Sequence, residues 1–158
     1  MLTTIAQVLA TLAVLGNGIV YGTDVVAGLV TRSVNRQLDD RTMTIAAGWG
    51  HYYADRRMPF AGAGGVVTTV LTVVLAAIAG HGAAAITAGV ALAALLIWLG
   101  IYTRVAKPIN TAQTAAARSG IIPDNARALQ NSWEAVLGYR IALQTIAVAG
   151  LCAAIALL

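Results

Sequence analysis

The sequence predicts an all-α fold: a four-transmembrane-helix bundle of up-down-up-down topology, with short juxtamembrane helices in two cytoplasmic loops. Three observations predict it: few charges, four long apolar runs, and basic residues confined almost entirely to two of the segments between those runs. Hydrophobic residues make up 59% of the 158 residues and charged residues 10%, whereas soluble domains carry about 25% charged residues. Because so few charged side chains cannot cover a soluble globule, we expect a lipid bilayer to surround the protein.

Each of the four apolar runs is long enough to cross a bilayer, since about 20 helical residues span its hydrocarbon core. The runs cover residues 2–30, 59–79, 83–103 and 133–158. The second and third are separated only by Gly80-His81-Gly82, which predicts a tight hairpin between helices. The first run has no basic segment before it and no cleavage signature, so it is predicted to be a retained span. Residues 1–158 are therefore interpreted as a single integral membrane domain.

The basic residues predict the orientation in the membrane. Nine of the ten lie in the two long segments between spans: Arg32, Arg36, Arg41, Arg56, Arg57, Arg104, Lys107, Arg118 and Arg127. By the positive-inside rule both long loops are cytoplasmic and both termini lie outside, most simply in the cell membrane. These residues form no basic run, so nucleic acid is not expected as a partner.

The two long loops are predicted to contain structure of their own. Residues 33–57 include an aromatic group suited to the headgroup region: Trp49, His51, Tyr52 and Tyr53. In the second loop, Pro108 is expected to end the third helix. A short alanine-rich helix over 110–119 should then end at Gly120. Asp124 is expected to cap the start of the last helix, which runs on into the membrane.

Other acidic residues are interpreted as structural. Asp39-Asp40 indicates a solvated, charge-balanced turn. Glu134 is expected to pair with Arg104 or Lys107 at the interface, or to cap the last helix.

Polar residues inside the spans are the candidate site, because ionisable groups in hydrocarbon are costly and are therefore functional hypotheses. Their helical spacing predicts three stripes, formed by Asn17, Tyr21, Asp24 and Gly28, by Trp98 and Tyr102, and by Trp133, Leu137, Arg140 and Gln144. Asp24 lies about 9 Å and Arg140 about 10 Å from the cytoplasmic ends of their spans. Because the depths match, we expect these two side chains to face each other in the bundle interior.

Two interpretations of this pair remain open. In one, Asp24 and Arg140 only fix the register of two helices. In the other, they form the floor of an amphipathic pocket for a planar hydrophobic molecule, a pocket shape typical of small-molecule sites. The predicted substrate-binding residues of that pocket are Asn17, Tyr21, Trp98, Tyr102, Asn110, Trp133 and Gln144.

The two histidines and the single cysteine are interpreted separately. His51, near the expected mouth of the bundle, is either a general base or an interfacial residue without chemistry. His81, in the hairpin on the opposite side, is expected to be solvated. No ligand spacing supports a metal site, even one built from a histidine, Asp24 and a tyrosine, and no cofactor is predicted. Cys152 is expected to face lipid or the core.

The chain resembles the anthrone oxygenase-like family of small four-helix membrane proteins. The resemblance rests on Pro108-Ile109-Asn110 after the third span, on Trp133 and Arg140 in the fourth, and on Met58-Pro59 at the start of the second. Many members place a histidine shortly before that arginine, where this chain has Leu137-Gly138-Tyr139. The role of that histidine is therefore lost here or moved, to His51 or Tyr139.

The resemblance implies oxygenation of an electron-rich polycyclic phenol, a reaction typical of secondary metabolism. It would assign His51 or Asp24 as the base and Arg140 as the group that holds the anion. The alternative function is a non-catalytic membrane subunit or small transporter, in which Asp24 and Arg140 form a clamp or a proton relay. Four spans are few for a transporter, and a homo-oligomer would compensate for this.

Overall fold

The computed structural model describes all 158 residues and contains helices but no strand. Seven α-helices follow in chain order: α1 (Leu2–Val26), α2 (Arg32–Asn35), α3 (Asp40–Ile78), α4 (Gly82–Ile101), α5 (Lys107–Ser119), α6 (Ala126–Ala135) and α7 (Leu137–Leu157). One π-helical turn, Ala27–Thr31, joins α1 to α2, and a second, Tyr102–Ala106, joins α4 to α5.

These elements combine into four long helical rods: Leu2–Asn35, Asp40–Ile78, Gly82–Ser119 and Ala126–Leu157. Each rod contains a segment that is long and apolar enough to cross a membrane, which confirms the predicted all-helical, four-span fold class. The 39 residues of α3 extend over about 58 Å, whereas the hydrocarbon core of a bilayer is about 30 Å thick. The rods therefore continue well beyond the part that the membrane would cover.

The four apolar helices form a closed ring. α1 packs against α3 and α7, and α4 packs against the same two helices. Val20 of α1 lies opposite Gly62 of α3. One turn earlier in α1, Asn17 lies opposite Gly65, one turn later in α3. Residue numbers thus rise along one helix as they fall along the other, so α1 and α3 run antiparallel.

The interior of the ring is built mainly from alanine. One buried cluster consists of Ala13, Ala91, Ala94, Leu95, Ala147 and Leu151. A second cluster, nearer the hairpin, consists of Ala76, Ala84, Ala88 and Ala154. Many of the large aliphatic side chains of the spans point outward instead. Small residues inside and large residues outside suit a bundle in lipid, where close packing rather than the hydrophobic effect holds helices together. Cys152 is exposed, in agreement with the lipid-facing alternative.

Glycine allows the closest approach between α1 and α3. A Cβ added at Gly65 would lie 2.7 Å from the Asn17 Oδ1 atom and 3.0 Å from the Asn17 backbone nitrogen. At Gly16 an added Cβ would lie 2.8 Å from the carbonyl oxygen of Ala61. Gly64, in contrast, has no atom within 4 Å of an added Cβ, so it does not lie in the contact.

The first long loop is the largest correction to the prediction, because most of it is helical. Asp39 caps the N-terminus of α3: its Oδ1 atom accepts the Thr42 backbone N–H at 2.9 Å, and its Oδ2 atom accepts the Thr42 hydroxyl at 2.7 Å. These bonds lower the pKa of the Asp39 carboxyl. Because α5 packs against the N-terminal half of α3, with Thr114 bonded to the Gly48 carbonyl, residues 40–57 are helical although their sequence is polar and aromatic.

The prediction that Pro108 ends the third helix is wrong. In the π-helical turn before it, the Lys107 N–H donates to the carbonyl of Tyr102, five residues back instead of four. This shifts the backbone hydrogen-bond register before Pro108, so the missing N–H of Pro108 does not interrupt the helix. Pro59 lies inside α3, so the helix that contains the second span begins well before it, at Asp40. The end of α5 is as predicted, since Gly120 adopts the left-handed conformation with φ +73°.

Three polar predictions need smaller corrections. Asn125, not Asp124, precedes the last rod, and it makes no side-chain cap. Asp40 pairs with Arg127 at 2.7 Å, so the Asp39-Asp40 turn is tied to α6 rather than only solvated. His81 lies at the predicted hairpin, but its Nε2 atom is 3.1 Å from the Thr3 hydroxyl.

We predict that Gly65→Ala destabilises the bundle, since the new methyl group would overlap Asn17. Overpacking of this kind lowers the free energy of unfolding by about 1–3 kcal/mol. Gly64→Ala, one residue away, is the matched control and should be neutral or slightly stabilising, because alanine favours helix over glycine by about 1 kcal/mol. Unfolding in mild detergent, followed by circular dichroism, measures both. Equal stability of the two variants would contradict the packing described here.

Candidate functional site

The site centres on an ion pair buried between α1 and α7. Asp24 is 2% exposed and Arg140 is 5% exposed. The Nη2 atom of Arg140 donates to the Oδ1 atom of Asp24 at 2.6 Å. The indole N–H of Trp98 donates to the other carboxylate oxygen at 3.0 Å, reaching across the ring from α4. The structure thus places Asp24 and Arg140 in contact, as their depths predicted.

Local backbone features bring these two residues together. Asp24 lies in the last turn of α1, just before the π-helical turn. Gly28, in that π-helical turn, lies against α7, where an added Cβ would lie 2.9 Å from the Cδ1 atom at the end of the Ile141 side chain. The absence of a side chain at Gly28 leaves room for Ile141, the residue after Arg140, beside the ion pair.

Two indole rings enclose the Arg140 guanidinium. Its Cζ atom lies 5.3 Å from the ring centre of Trp98 and 5.0 Å from that of Trp133. The faces of aromatic rings attract cations, which offsets part of the cost of burying this charge. The Nε and Nη1 atoms of Arg140 are nevertheless buried without a hydrogen-bond partner. Such unpaired N–H groups are uncommon in proteins and are free to bind an acceptor.

A second polar group lies directly next to the first and centres on Asp55. The Tyr102 hydroxyl donates to Asp55 at 2.9 Å, and the Asn110 amide donates to it at 3.1 Å. The Asn110 Oδ1 atom accepts the indole N–H of Trp133 at 3.0 Å. Tyr102 also stacks on Trp98, with ring centres 5.5 Å apart and planes inclined by 1°. Aromatic stacking thus joins the Asp55 group to the Asp24–Arg140 pair.

His51 lies at the outer edge of this arrangement. Its ring centre is 5.6 Å from that of Trp133, the same indole that covers Arg140.

A chain of buried side-chain hydrogen bonds links Gln113 to Gln130 and Gln130 to the carboxylate of Glu134. Glu134 pairs with Arg32 at 3.2 Å, and not with Arg104 or Lys107 as predicted. The reason is that α1 continues through α2 and carries Arg32 to the level of Glu134.

Some predicted substrate-binding residues do not join the site. Asn17 donates to the carbonyl of Ala13 and to Thr69, and it serves the contact between α1 and α3. Tyr21 lies at an exposed edge, with its hydroxyl 3.2 Å from that of Thr145. The sequence spacing assigned both to one stripe with Asp24, but Asn17 contacts α3, and Tyr21 contacts α7 at Thr145 rather than at Arg140. Gln144 is buried one turn beyond Arg140, and its Oε1 atom has no hydrogen-bond partner.

Sequence reasoning missed Asp55, Gln113 and Gln130. The signal for Asp55 was its position four residues after His51, which puts both on one face of a helix. That signal was not used because residues 33–57 were interpreted as a loop.

Asp24 and Arg140 are almost fully buried. Two grooves lie on the surface elsewhere, one of about 240 Å³ along the outer face of α1 and one of about 510 Å³ between α5 and α6, and neither is lined by Asp24 or Arg140. The structure contains no group of three His, Cys, Asp or Glu side chains arranged to hold a metal ion. Chemically, the region offers a cation with free donors, a nearby histidine and aromatic walls.

We predict that Asp24→Asn strongly destabilises the fold, because it leaves the Arg140 guanidinium buried without a counter-charge. Breaking a buried pair lowers the free energy of unfolding by about 3–5 kcal/mol. Asp40→Asn is the control, since Asp40 is 55% exposed in its pair with Arg127; loss of such a pair costs about 1 kcal/mol or less. The double variant Asp24→Asn/Arg140→Gln should regain part of the lost stability. Denaturant unfolding in detergent measures all three, and a loss for Asp24→Asn no larger than for Asp40→Asn would contradict the prediction.

Comparison with known proteins gives no match: no family model, no curated protein and no solved structure matches the chain.

Proposed function

We propose that the protein is a membrane-embedded oxidoreductase that oxygenates a hydrophobic aromatic small molecule, with Arg140 binding an anionic oxygen of the substrate. The observation that carries the proposal is the state of Arg140: buried, covered by two indole rings, and with its Nε and Nη1 atoms unpaired. A planar aromatic molecule with an acidic hydroxyl group matches both the rings and the donors. The resemblance to the anthrone oxygenase-like family supports the same substrate class.

The basic residues support a cytoplasm-facing position for the site in the cell membrane. Arg32 pairs with Glu134, which defines one level of the bundle. Further basic side chains, which have no salt-bridge partner, lie at the same end: Arg56, Arg57, Arg104 and Lys107. The hairpin at the opposite end carries no Lys or Arg. By the positive-inside rule the end that carries these basic side chains, and not the hairpin, is cytoplasmic.

In the proposed reaction, a base removes a proton from an activated methylene group of the phenolic substrate. The resulting negative charge spreads to the ring oxygen, where Arg140 stabilises it. The carbanion adds dioxygen, takes back a proton and becomes a hydroperoxide, which loses water to give a ketone. Overall the methylene carbon and one O₂ become a carbonyl and one H₂O. Since Arg140 and Trp98 already occupy both oxygens of Asp24, we assign the base to His51 and a positioning role to Asp24.

Substrate binding requires an indole ring to move, because the free donors of Arg140 have no exposed surface. Trp133 is the side chain that we expect to move. It is only partly buried, and its helix, α6, is separated from α7 by a turn at Val136. Its displacement would open Arg140 toward His51.

The second candidate is a non-catalytic membrane protein in which Asp24–Arg140 is a structural clamp. The carboxylate of Asp24, which has a hydrogen-bond donor on each oxygen, favours it. A proton relay is disfavoured, since an indole N–H and a ring stack separate Asp24 from Asp55 and neither passes a proton readily. A transporter is disfavoured because buried alanines fill the half of the bundle near the hairpin.

The test uses purified protein in lipid nanodiscs and a tricyclic phenol with an activated methylene group. We expect oxygen uptake and ketone formation in equal amounts. His51→Ala should lower the rate by about 100-fold or more, the usual effect of losing a general base. The neutral pair Asp24→Asn/Arg140→Gln should abolish binding, while Arg104→Gln, an exposed arginine, should not affect it. If the folded double variant binds and turns over as the wild type does, the pair is only a clamp.

A further inference from the structure

A cluster of aromatic and basic side chains lies on the outside of α3, away from the candidate site. The rings of Trp49, Tyr52 and Tyr53 contact one another, with centres 5.1–6.3 Å apart. Trp49 and Tyr53 are among the exposed large side chains of the protein. An exposed aromatic group of this size beside the span is typical of the membrane–water interface.

Three guanidinium groups converge on these rings. The Cζ atom of Arg56 lies 3.5 Å from the ring centre of Tyr52, and that of Arg118, from α5, lies 5.8 Å from the same centre. The Cζ atom of Arg57 lies 4.9 Å from the ring centre of Tyr53. The two tyrosines thus hold cations from two helices close to one another.

These three cations have no counter-charge within the protein. The salt bridges of the chain involve only Arg32, Arg127 and Arg140. Asp55, next in sequence to Arg56, is turned inward and accepts from Tyr102 and Asn110. Like charges gathered without an anion repel one another, and an added anion between them would relieve that repulsion.

A lipid-facing stripe continues from this cluster along α3. Below Tyr53 and Arg57, the same helical face carries Phe60, which is 84% exposed, and Gly64, whose added Cβ would meet no atom within 4 Å. The face then continues with exposed aliphatic side chains: Val67, Leu71, Val74 and Ile78. Cations at one end of an apolar stripe complement a phospholipid, which has an anionic phosphate at one end and apolar acyl chains at the other.

We propose that Arg56, Arg57 and Arg118, with Tyr52 and Tyr53, bind the phosphate of an anionic phospholipid whose acyl chain lies along Phe60 and the aliphatic face of α3. This site is separate from the Asp24–Arg140 pair and does not depend on the proposed oxygenation. Arginine suits the role because its planar group both stacks on a tyrosine ring and donates to phosphate oxygens.

Native mass spectrometry of the detergent-purified protein tests the proposal. Phosphatidylglycerol should bind the wild type more tightly than phosphatidylcholine. The triple variant Arg56→Gln/Arg57→Gln/Arg118→Gln should lose about tenfold or more of the phosphatidylglycerol affinity, as expected for three lost cations near an anionic headgroup. The matched control, Arg36→Gln/Arg104→Gln/Lys107→Gln, removes the same charge from exposed basic residues without carboxylate partners at the same end of the bundle.

Three results would overturn the proposal. Equal loss in the two triple variants would show unspecific attraction by net charge. Equal binding of the two lipids by the wild type would show that the headgroup charge is not recognised. Displacement of phosphatidylglycerol by the same concentration of inorganic phosphate would show a site for free phosphate that does not use the apolar stripe.

Discussion

The hydrogen-bonded ion pair between Asp24 and Arg140 is the constraint on which the half of the bundle away from the hairpin depends. A charge in hydrocarbon is tolerable only when a partner and further hydrogen bonds satisfy it. The indole N–H of Trp98 and the two rings over the guanidinium both serve this need. A pair held only for stability would be expensive, because well-packed apolar residues stabilise a core at least as well. Because of that cost, we expect the unpaired Nε and Nη1 groups of Arg140 to have a role beyond stability.

Small residues make the rest of the structure possible. Lipid chains are as apolar as leucine, so helices in a membrane gain stability mainly from close contact. Alanine clusters inside the ring and Gly65 against Asn17 provide that contact. The two halves of the bundle therefore differ in kind: alanine fills the half near the hairpin, and charged and aromatic side chains fill the other half.

The sequence was sufficient for the four spans and for the central pair. The length of each apolar run predicts the spans, because the hydrocarbon core of a bilayer has a nearly fixed thickness. The equal depths of Asp24 and Arg140 in their spans predicted that the two side chains meet. It was not sufficient for the residues around them. Asp55 was overlooked because helicity beyond the membrane depends on tertiary packing of α5 on α3, which no local pattern shows. Asn17 was misplaced because helical spacing predicts a face but not which neighbouring helix that face meets.

The contact between Asp24 and Arg140 in a lipid bilayer is the claim that most needs a direct measurement. Solid-state nuclear magnetic resonance of protein with labelled arginine nitrogens and aspartate carbons measures the dipolar coupling between guanidinium and carboxyl groups. The 2.6 Å distance from Nη2 to Oδ1 predicts a strong coupling that disappears in Asp24→Asn, while the coupling of the exposed Arg127–Asp40 pair remains. An unchanged coupling spectrum in Asp24→Asn would contradict the account.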